Sequence, residues 1–412
     1  MKYSTRTGCR CCNSKDLIKC LTLTPTPPAD SYVEKEKLHI HQDVIPLELY
    51  LCNHCGLTQI RDIIDTEEVY LNYTYVTKSS LGLNTHFKIL ADSIDNEFKF
   101  ETGNLVIDIG SNDGTLLRFF KEKGYTVLGI DPAPDIAEQA TKNGILTLPK
   151  FFDIDQASYV KDTHGKAVIV TCNNLVADVD DLNGLLNGIN LLLEDDGIFV
   201  FESFYLVDQI ENFVWDFTYH EHFSYFTVKP LVSFLKSINL ELFDVQRVGT
   251  KGGSLRYFIQ KLNGPRAKTN SIDEFIGYEE KIEIHKPNIF NDYQNRIESS
   301  KSEFIAYIKE IDKPGITIGA YGASATSTTL IYHYEMGEYL KYIYDDFDTK
   351  QGLYSPGYHI PVYHPDKIYD HMPDFIIILA WRYYENIVSN HKKYIENGGK
   401  FIIPLPTIKL IQ

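Results

Sequence analysis

The chain has 412 residues, more than one hydrophobic core usually serves, so we expect two or three domains. Its formal net charge of −16 repels polyanions, which argues against nucleic acid and anionic membranes as partners. Residues 1–20 lack the apolar core of a secretion signal, and apolar stretches such as 375–381 are too short to span a bilayer. We therefore expect a cytoplasmic protein without a membrane partner, as a monomer or weak homo-oligomer.

The cysteines concentrate near the start of the chain. Six of the seven lie in the first 55 residues, which favours a local metal site over a disulfide framework. Two C-x-x-C pairs can each place two thiolates on one tetrahedral ion, and four cysteines leave no open position, so the predicted ion is a structural zinc. Buried or free thiols are the alternative, and the proline-containing segment between the pairs is expected to be irregular. The predicted ligands are Cys9, Cys12, Cys52 and Cys55.

A glycine turn follows the first strongly apolar strand of the central region. Residues 105–114 have the spacing D-x-G-x-x-x-G before a predicted helix at 115–123, and Asn112 stands where a dinucleotide fingerprint needs its second glycine. The next predicted strand, 126–130, ends in Asp131, which is placed to accept hydrogen bonds from both hydroxyls of a ribose. This order of strand, glycine turn, helix, strand and terminal aspartate favours a binding site for S-adenosylmethionine (SAM) over one for a nicotinamide dinucleotide. The alternative is a strand–helix turn that binds no ligand. The expected SAM contacts are Asp108, Gly110, Ser111, Asn112, Gly114, Asp131 and Pro132.

Further strands are predicted along the central region. Two apolar runs lie at 167–171 and 197–202, and a glycine-rich turn joins two extended runs at 241–248 and 254–261 as a hairpin. A hairpin that closes the sheet is how class I SAM methyltransferase domains end. We therefore expect such a domain over 71–265, although a fold alone does not name a reaction.

Residues 216–226, here called the aromatic loop, mix titratable groups with aromatic side chains. A histidine beside a carboxylate can act as a general base, and a phenol can donate to an oxyanion. Metal ligation by His220, Glu221 and His222 is a rival, but the H-E-x-x-H spacing fails because position 224 is serine. A polar loop packed on the sheet is the other alternative. A hydrolase is disfavoured because the sequence has no G-x-S-x-G elbow.

An α/β pattern restarts after a charged helical connector at 270–310. Strands are predicted at 316–321, 341–345, 375–380 and 400–404, with a helix at 326–334. The small residues at 322–324 could bring backbone amides at a helix N-terminus close to a diphosphate, and close helix–sheet packing is an equal alternative. We expect a second Rossmann-like domain over 266–412.

These motifs, in this order, resemble the sugar C-methyltransferases of deoxysugar biosynthesis, three-domain enzymes that act on nucleotide-linked 4-keto sugars. The resemblance extends over nearly the whole chain. It rests on the two cysteine pairs and on residues 108–114, 219–222, 252–256, 350–352 and 356–361. It implies an α/β fold in which a class I SAM methyltransferase (Rossmann-like) core follows a small zinc-binding domain, residues 1–70, and precedes a C-terminal Rossmann-like domain. The implied cofactors are SAM and zinc, and the implied substrate is a nucleotide-linked keto sugar.

The resemblance also implies a mechanism. A base removes the proton at C3, alpha to the C4 ketone, and the enolate carbon attacks the SAM methyl. His222 matches the family's base, Tyr219 and Glu221 match its supporting polar residues, and Tyr73 matches its active-site tyrosine, with Tyr75 as second choice. The residue types of the aromatic loop agree with this mechanism, because carbon methylation of a ketone requires both a base and enolate stabilisation.

Three positions depart from the family pattern. Asp178 and Lys251 stand where the family commonly has histidine, and residues 322–327 lack its usual lysine. A carboxylate at 178 near an enolate is unfavourable unless it is paired or protonated. The sugar and the methylated position therefore stay open, with an O- or N-methyltransferase of a related sugar or small molecule, or a non-catalytic SAM-binding scaffold, as alternatives.

Overall fold

The computed structural model describes residues 3–65, 76–77 and 82–412, so the expected active-site residues Tyr73 and Tyr75 lie outside the described residues. Among the described helices, none combines the length and the apolar character needed to cross a bilayer.

The first part of the chain is a β-rich module. Its strands are β1 (Tyr3–Thr5), β2 (Leu17–Thr26), β3 (Ile45–Cys52), β4 (Thr58–Ile60) and β5 (Asp62–Ile64). Contrary to the expected irregular segment, β2 and β3 form a long antiparallel ladder. Leucines at alternating positions of β2 and β3 are buried, and Pro25 is accommodated at a register shift near the end of β2.

The central part is a seven-stranded sheet flanked by helices. Its strands, together with a short outlying strand β11, are β6 (Leu105–Ile109), β7 (Thr126–Ile130), β8 (Thr147–Leu148), β9 (Ala167–Asn173), β10 (Leu193–Phe204), β11 (Ser224–Tyr225), β12 (Leu240–Val248) and β13 (Ser254–Lys261). Its helices are α1 (Leu83–Phe98), α2 (Thr115–Glu122), α3 (Pro134–Lys142), α4 (Ile154–His164), α5 (Leu182–Leu192), α6 (Leu206–Glu211) and α7 (Val228–Ser237).

The order of the central strands confirms the class I methyltransferase fold. The order is β12-β13-β10-β9-β6-β7-β8, with β13 antiparallel to both neighbours and the strands from β10 to β8 parallel. The predicted hairpin is therefore β12–β13. Neighbouring residues of β6 serve opposite faces, because Val106 and Ile107 belong to different hydrophobic clusters. The strand order reverses between β6 and β9, where open α/β sheets bind ligands at the strands' carboxyl ends.

The last part is a second α/β unit behind two connecting helices. Its helices are α8 (Ser271–Lys281), α9 (Pro287–Ile311), α10 (Ala325–His333), α11 (Ile368–His371), α12 (Tyr384–Asn390) and α13 (Lys392–Glu396). Its strands are β14 (Ile318–Tyr321), β15 (Leu340–Tyr344), β16 (Val362–Tyr363), β17 (Phe375–Ile378), β18 (Lys400–Ile403) and β19 (Lys409–Ile411). The order β16-β15-β14-β17-β18-β19 follows the Rossmann pattern, with β19 antiparallel.

The aromatic loop contacts all three parts. β11 leaves the central sheet and pairs with β4 at the edge of the N-terminal sheet. From the C-terminal part, Trp381 donates its indole N–H to Asp216, 2.9 Å, and Arg382 donates to the same carboxylate. The hydroxyl of Thr329 donates to the carbonyl of Thr218, 2.9 Å. The loop is therefore fixed by residues from distant parts of the sequence.

Candidate active site

A cavity of about 350 Å³ opens at the carboxyl ends of β6, β7 and β9. Six of the seven predicted SAM contacts line it: Asp108, Gly110, Ser111, Asn112, Asp131 and Pro132. Gly114 does not line the cavity. Its φ of +75° starts α2, and a Cβ there would meet Ile145 at 2.9 Å, so this glycine serves the turn.

The turn after β6 is organised around the Asp131 carboxylate. One carboxylate oxygen accepts from the backbone N–H of Asn112, 2.8 Å, and the other from that of Ala133, 3.0 Å. Asn112 itself has a left-handed φ of +50°, which asparagine tolerates better than most residues. Burial raises the pKa of Asp131 above its usual range. The carboxylate lies at the end of β7, beside the cavity, where the sequence pattern predicts a ribose partner.

Asp108 is a buried carboxyl at the base of the same cavity. It accepts a hydrogen bond from the Thr171 hydroxyl, 2.6 Å, and is 4% exposed. Burial raises its pKa to about 7, because the apolar surroundings disfavour the carboxylate more than Thr171 stabilises it. A cationic ligand in the cavity would shift this balance toward the ionised form.

Negative charge predominates in the wall of the cavity. Five aspartates and two lysines contribute to its described lining: Asp108, Asp131, Asp178, Asp180, Asp181, Lys150 and Lys251. Such a wall suits a cationic ligand with a sulfonium and an ammonium group.

His222 is enclosed by aromatic rings next to this cavity. Its ring centroid lies 3.9 Å from that of Tyr219, 4.6 Å from Phe204 and 5.4 Å from Phe217. Nδ1 lies 3.0 Å from the carbonyl oxygen of Phe217, an acceptor only, so Nδ1 carries the proton and Nε2 has the free lone pair. Burial lowers the pKa of His222 to about 3, so the imidazole is neutral at working pH.

Asp178 connects the imidazole to the cavity. Its carboxylate lies 3.9 Å from Nε2 of His222 and also lines the cavity, whereas His222 itself is not among the lining residues. A carboxylate here faces the base, so it can stabilise the imidazolium that forms on proton transfer. In the sequence, Asp178 is notable only because it departs from the family pattern. The structure places its carboxylate beside the predicted base.

His220 and Glu221 of the aromatic loop contact other parts of the molecule. His220 lies 3.2 Å from the carbonyl oxygen of Pro46, and burial lowers its pKa to about 4. Glu221 is buried near Asp30 and Lys350, and burial raises its pKa to about 7. Both carboxylate oxygens of Glu221 are buried without a hydrogen-bond partner among the described residues. The residues of the rival metal site thus diverge.

The four predicted zinc ligands converge. Their sulfur atoms lie within 4.8 Å of one another and form, among the described residues, the one group able to hold a metal ion. The sulfurs of Cys9 and Cys55 are 3.5 Å apart, and those of Cys12 and Cys52 are 3.6 Å apart. Tetrahedral zinc with sulfur at about 2.3 Å needs sulfurs about 3.8 Å apart, so the set fits the ion.

Three protein-family models match successive parts of the chain: a zinc binding domain at residues 9–70, a methyltransferase domain at 84–245, and a C-methyltransferase C-terminal domain at 249–406. The chain is also 29% identical to C-methyltransferase NovU of Streptomyces niveus over 404 residues, which are 98% of this chain and 96% of that protein. The chain is therefore similar, over nearly its whole length, to C-methyltransferases that carry a zinc-binding domain before the methyltransferase domain. It is a SAM-dependent enzyme.

Solved methyltransferase structures are similar over less than half of the chain. Magnesium protoporphyrin IX methyltransferase of Synechocystis PCC 6803 with bound SAH is 13% identical with a TM-score of 0.35, over 44% of this chain and 84% of that one. A SAM-dependent methyltransferase of Clostridium acetobutylicum is 14% identical with a TM-score of 0.34, over 44% of this chain and 92% of that one.

This C-methyltransferase has a second cavity, of about 360 Å³, between the β12–β13 hairpin and the C-terminal unit. Lys251 lines both cavities. The second cavity also has two further cations and three aromatic side chains in its wall: Arg382, Lys409, Trp381, Tyr383 and Tyr384. The sequence gives no local signal for this cavity, because its lining comes from two separate parts of the chain.

The small residues at 322–324 do not offer free amides to a diphosphate. The N–H of Gly322 donates to the carbonyl of Tyr344, and the N–H of Ala323 donates to the Asp345 carboxylate. A Cβ on Gly322 would lie 2.7 Å from Ala380. The structure therefore supports the close-packing alternative for this turn over the equally weighted anion site, because an internal carboxylate already accepts from the Ala323 amide.

Sequence reasoning missed several residues beside the first cavity. Thr77 lines it and donates its backbone N–H to the side chain of Asn112, 2.8 Å. Asn173 and Asn174, at the end of β9, line it as well. Their position after a predicted parallel strand is the signal that could have identified them.

Proposed function

We propose that this enzyme methylates the C3 carbon of a nucleotide-linked 4-keto deoxysugar. The observation that carries the proposal is the neutral imidazole of His222, whose Nε2 lone pair faces Asp178 at the edge of the SAM cavity. Carbon methylation of a ketone requires a base and a means to stabilise an enolate, and both kinds of group lie here.

The proposed reaction begins with proton removal. Nε2 of His222 takes the C3 proton, and the C–H electron pair moves into a C3–C4 double bond as the ketone oxygen becomes an enolate. When bound, SAM would supply the electrophilic methyl group: the C3–C4 electron pair would form the new C3–methyl bond, the C4 ketone would re-form, and the methyl–sulfur electron pair would stay on SAH. Asp178, 3.9 Å from Nε2, favours the imidazolium form during the transfer, whereas burial and the charge of Lys251 lower the pKa of His222.

Two further side chains support the substrate in this proposal. The phenol of Tyr219, whose ring centroid lies 3.9 Å from that of the imidazole, is suited to donate to the enolate oxygen. Glu221 keeps its proposed supporting role on sequence grounds, because its buried carboxylate lies near Asp30 and Lys350 and lines neither cavity. Tyr73 keeps its proposed role as an active-site tyrosine on sequence grounds.

We assign the nucleotide end of the substrate to the second cavity. A diphosphate needs cations and a base needs aromatic surface, and the cavity wall offers both. Lys251 lines both cavities, so a sugar placed beside His222 and a diphosphate in the second cavity are within one extended molecule's reach. We propose domain limits of 1–70, 71–265 and 266–412, with β11 contributed to the N-terminal sheet.

Proton exchange at C3 tests the proposal. A panel of dTDP-, UDP-, GDP- and CDP-linked 4-keto-6-deoxyhexoses is incubated in heavy water with enzyme and SAH. Deuterium should enter C3 of the true substrate class, and SAM should then yield a C-methylated product. His222→Asn is expected to keep SAH affinity and lower turnover by about 10²–10⁴-fold.

His220→Asn is the matched control, because it alters a buried imidazole of the same loop that contacts Pro46 instead of Asp178. It should keep turnover within a few-fold in folded protein. Methyl transfer without C3 exchange would favour a heteroatom acceptor. SAM binding without any methylated product would favour a scaffold. Normal turnover in His222→Asn would remove this residue from the role.

A further inference from the structure

Arg10 lies inside the first cysteine pair, yet its side chain is directed into the protein. The residue is 1% exposed. Its Nε donates to the Asp180 carboxylate, 3.0 Å, and its Nη1 donates to the side chain of Gln59, 3.1 Å, and to the carbonyls of Ile60 and Phe223, the latter at 3.1 Å. The turn that carries Cys9 and Cys12 is here called the zinc knuckle. Through Arg10 it is hydrogen-bonded to the aromatic loop.

The Phe223 peptide directly follows the proposed base. The N–H of Phe223 donates to the carbonyl of Ala177, 2.8 Å, and its own carbonyl accepts from the N–H of Ile60, 2.9 Å, as well as from Arg10. The guanidinium of Arg10 also lies 5.1 Å from the centroid of the Phe223 ring. The backbone beside His222 is thus held from both sides.

The same guanidinium reaches the segment that carries Asp178. Asp180 accepts from Arg10 and follows Asp178 by two residues, and Ala177, the partner of Phe223, precedes it. Arg10 therefore connects the two chain segments whose side chains lie 3.9 Å apart as base and carboxylate. Among the described residues, no other guanidinium donates hydrogen bonds to both segments.

We infer that Arg10 is a positioning residue, which holds the His222 and Asp178 segments in register and so links the zinc knuckle to catalysis. The inference rests on the proposed function, in which His222 is the base. Zinc on Cys9 and Cys12 would fix the backbone on both sides of Arg10. A misplacement of about 1 Å in a catalytic constellation can cost about 10²-fold in rate, so a rigid anchor at this place has a catalytic consequence.

The planar fork of arginine explains the residue type. Burying a cation removes it from water at a cost in stability, so an apolar residue could give the zinc knuckle equal stability. Arginine presents donors in fixed directions to a carboxylate and to carbonyls at once, whereas the single ammonium of lysine cannot reproduce that geometry.

Arg10→Lys tests the inference, with Arg6→Ala as the matched control. Arg6 also donates to Asp180, at 3.1 Å, but its Nε donates to the carbonyl of Gly8, outside the aromatic loop. In Arg10→Lys we expect one zinc and one SAH bound per chain, a KM for SAM within about twofold of wild type, and a kcat lowered about 10- to 100-fold. Arg6→Ala should keep kcat within about threefold.

Amide hydrogen exchange provides a readout that does not depend on turnover. Peptides covering 219–226 should exchange faster in Arg10→Lys, and in the wild-type chain after zinc chelation, while peptides covering 105–114 stay protected. If Arg10→Lys binds less than one zinc or SAH, the chelated wild-type chain decides the question. Unchanged protection of 219–226 after metal loss would then overturn the inference.

Two further outcomes would overturn it: a wild-type kcat in folded Arg10→Lys, or equal losses of kcat in both variants. Failure of the proposed function looks different, because it would show in the wild-type chain as methyl transfer without C3 exchange.

Discussion

The buried carboxyl of Asp108 predicts an unusual pH dependence of cofactor binding. Its pKa is raised to about 7 by burial, and it lines the cavity that suits a cationic ligand. If the ammonium of SAH binds the ionised carboxylate, affinity reaches its maximum above about pH 8 and falls as pH drops through the pKa of about 7 and the carboxyl becomes protonated. Between pH 7.5 and 5.5 the apparent Kd should rise about 25-fold, which corresponds to about 2 kcal/mol.

Asp108→Asn removes this titration while keeping the shape of the side chain. The variant should bind SAH more weakly at pH 7.5 and show little pH dependence, as measured by calorimetry over the same range. The unliganded variant should also be more stable than wild type at pH 7.5. A folded-state pKa above the unfolded value means that stability is full below about pH 4 and falls as pH rises through about 7, by on the order of 4 kcal/mol.

Asp108→Asn is thus expected to lower SAH affinity and to raise the stability of the unliganded protein. Loss of affinity together with loss of stability would indicate general damage to the fold. Asp131→Asn is the matched control, because Asp131 lines the same cavity but accepts from two backbone amides. If Asp108→Asn keeps the wild-type pH slope and Asp131→Asn abolishes it, the titrating group has been misassigned.

Two more substitutions test the contact that holds the C-terminal unit to the aromatic loop and the proposed nucleotide binding in the second cavity. Asp216→Ala leaves the buried Trp381 N–H and Arg382 guanidinium without their carboxylate, so urea unfolding should show a loss of about 3–5 kcal/mol, with a smaller loss for Asp216→Asn. Equal losses would contradict a charge-based contact. Lys251→Met should weaken binding of dTDP or UDP about tenfold by calorimetry, since one charge-assisted bond to phosphate is lost, and leave SAH affinity within a few-fold. Unchanged nucleotide binding would move the diphosphate away from the second cavity.

The sequence alone was sufficient wherever the decisive interactions are local. The strands β6, β7 and β9, the glycine turn at 110–114 and the β12–β13 hairpin follow from apolar periodicity and turn residues close together in the chain. The cysteine ligands were predictable because each pair is a short local motif. The β2–β3 ladder was missed because three prolines outweighed a leucine alternation that was readable in the sequence.

Tertiary structure decided how the polar side chains are used. The turn at 219–222 sends Glu221 toward Asp30 and His222 toward Asp178, and its spacing alone does not distinguish these directions. The Asp345 carboxylate accepts a hydrogen bond from the backbone N–H of Ala323, an amide that the sequence pattern made available for a diphosphate. Arg10 reaches Phe223 from a position more than 200 residues away in the chain. Buried polar groups must find hydrogen-bond partners, and because those partners come from any segment that packs nearby, only the folded chain determines which they are.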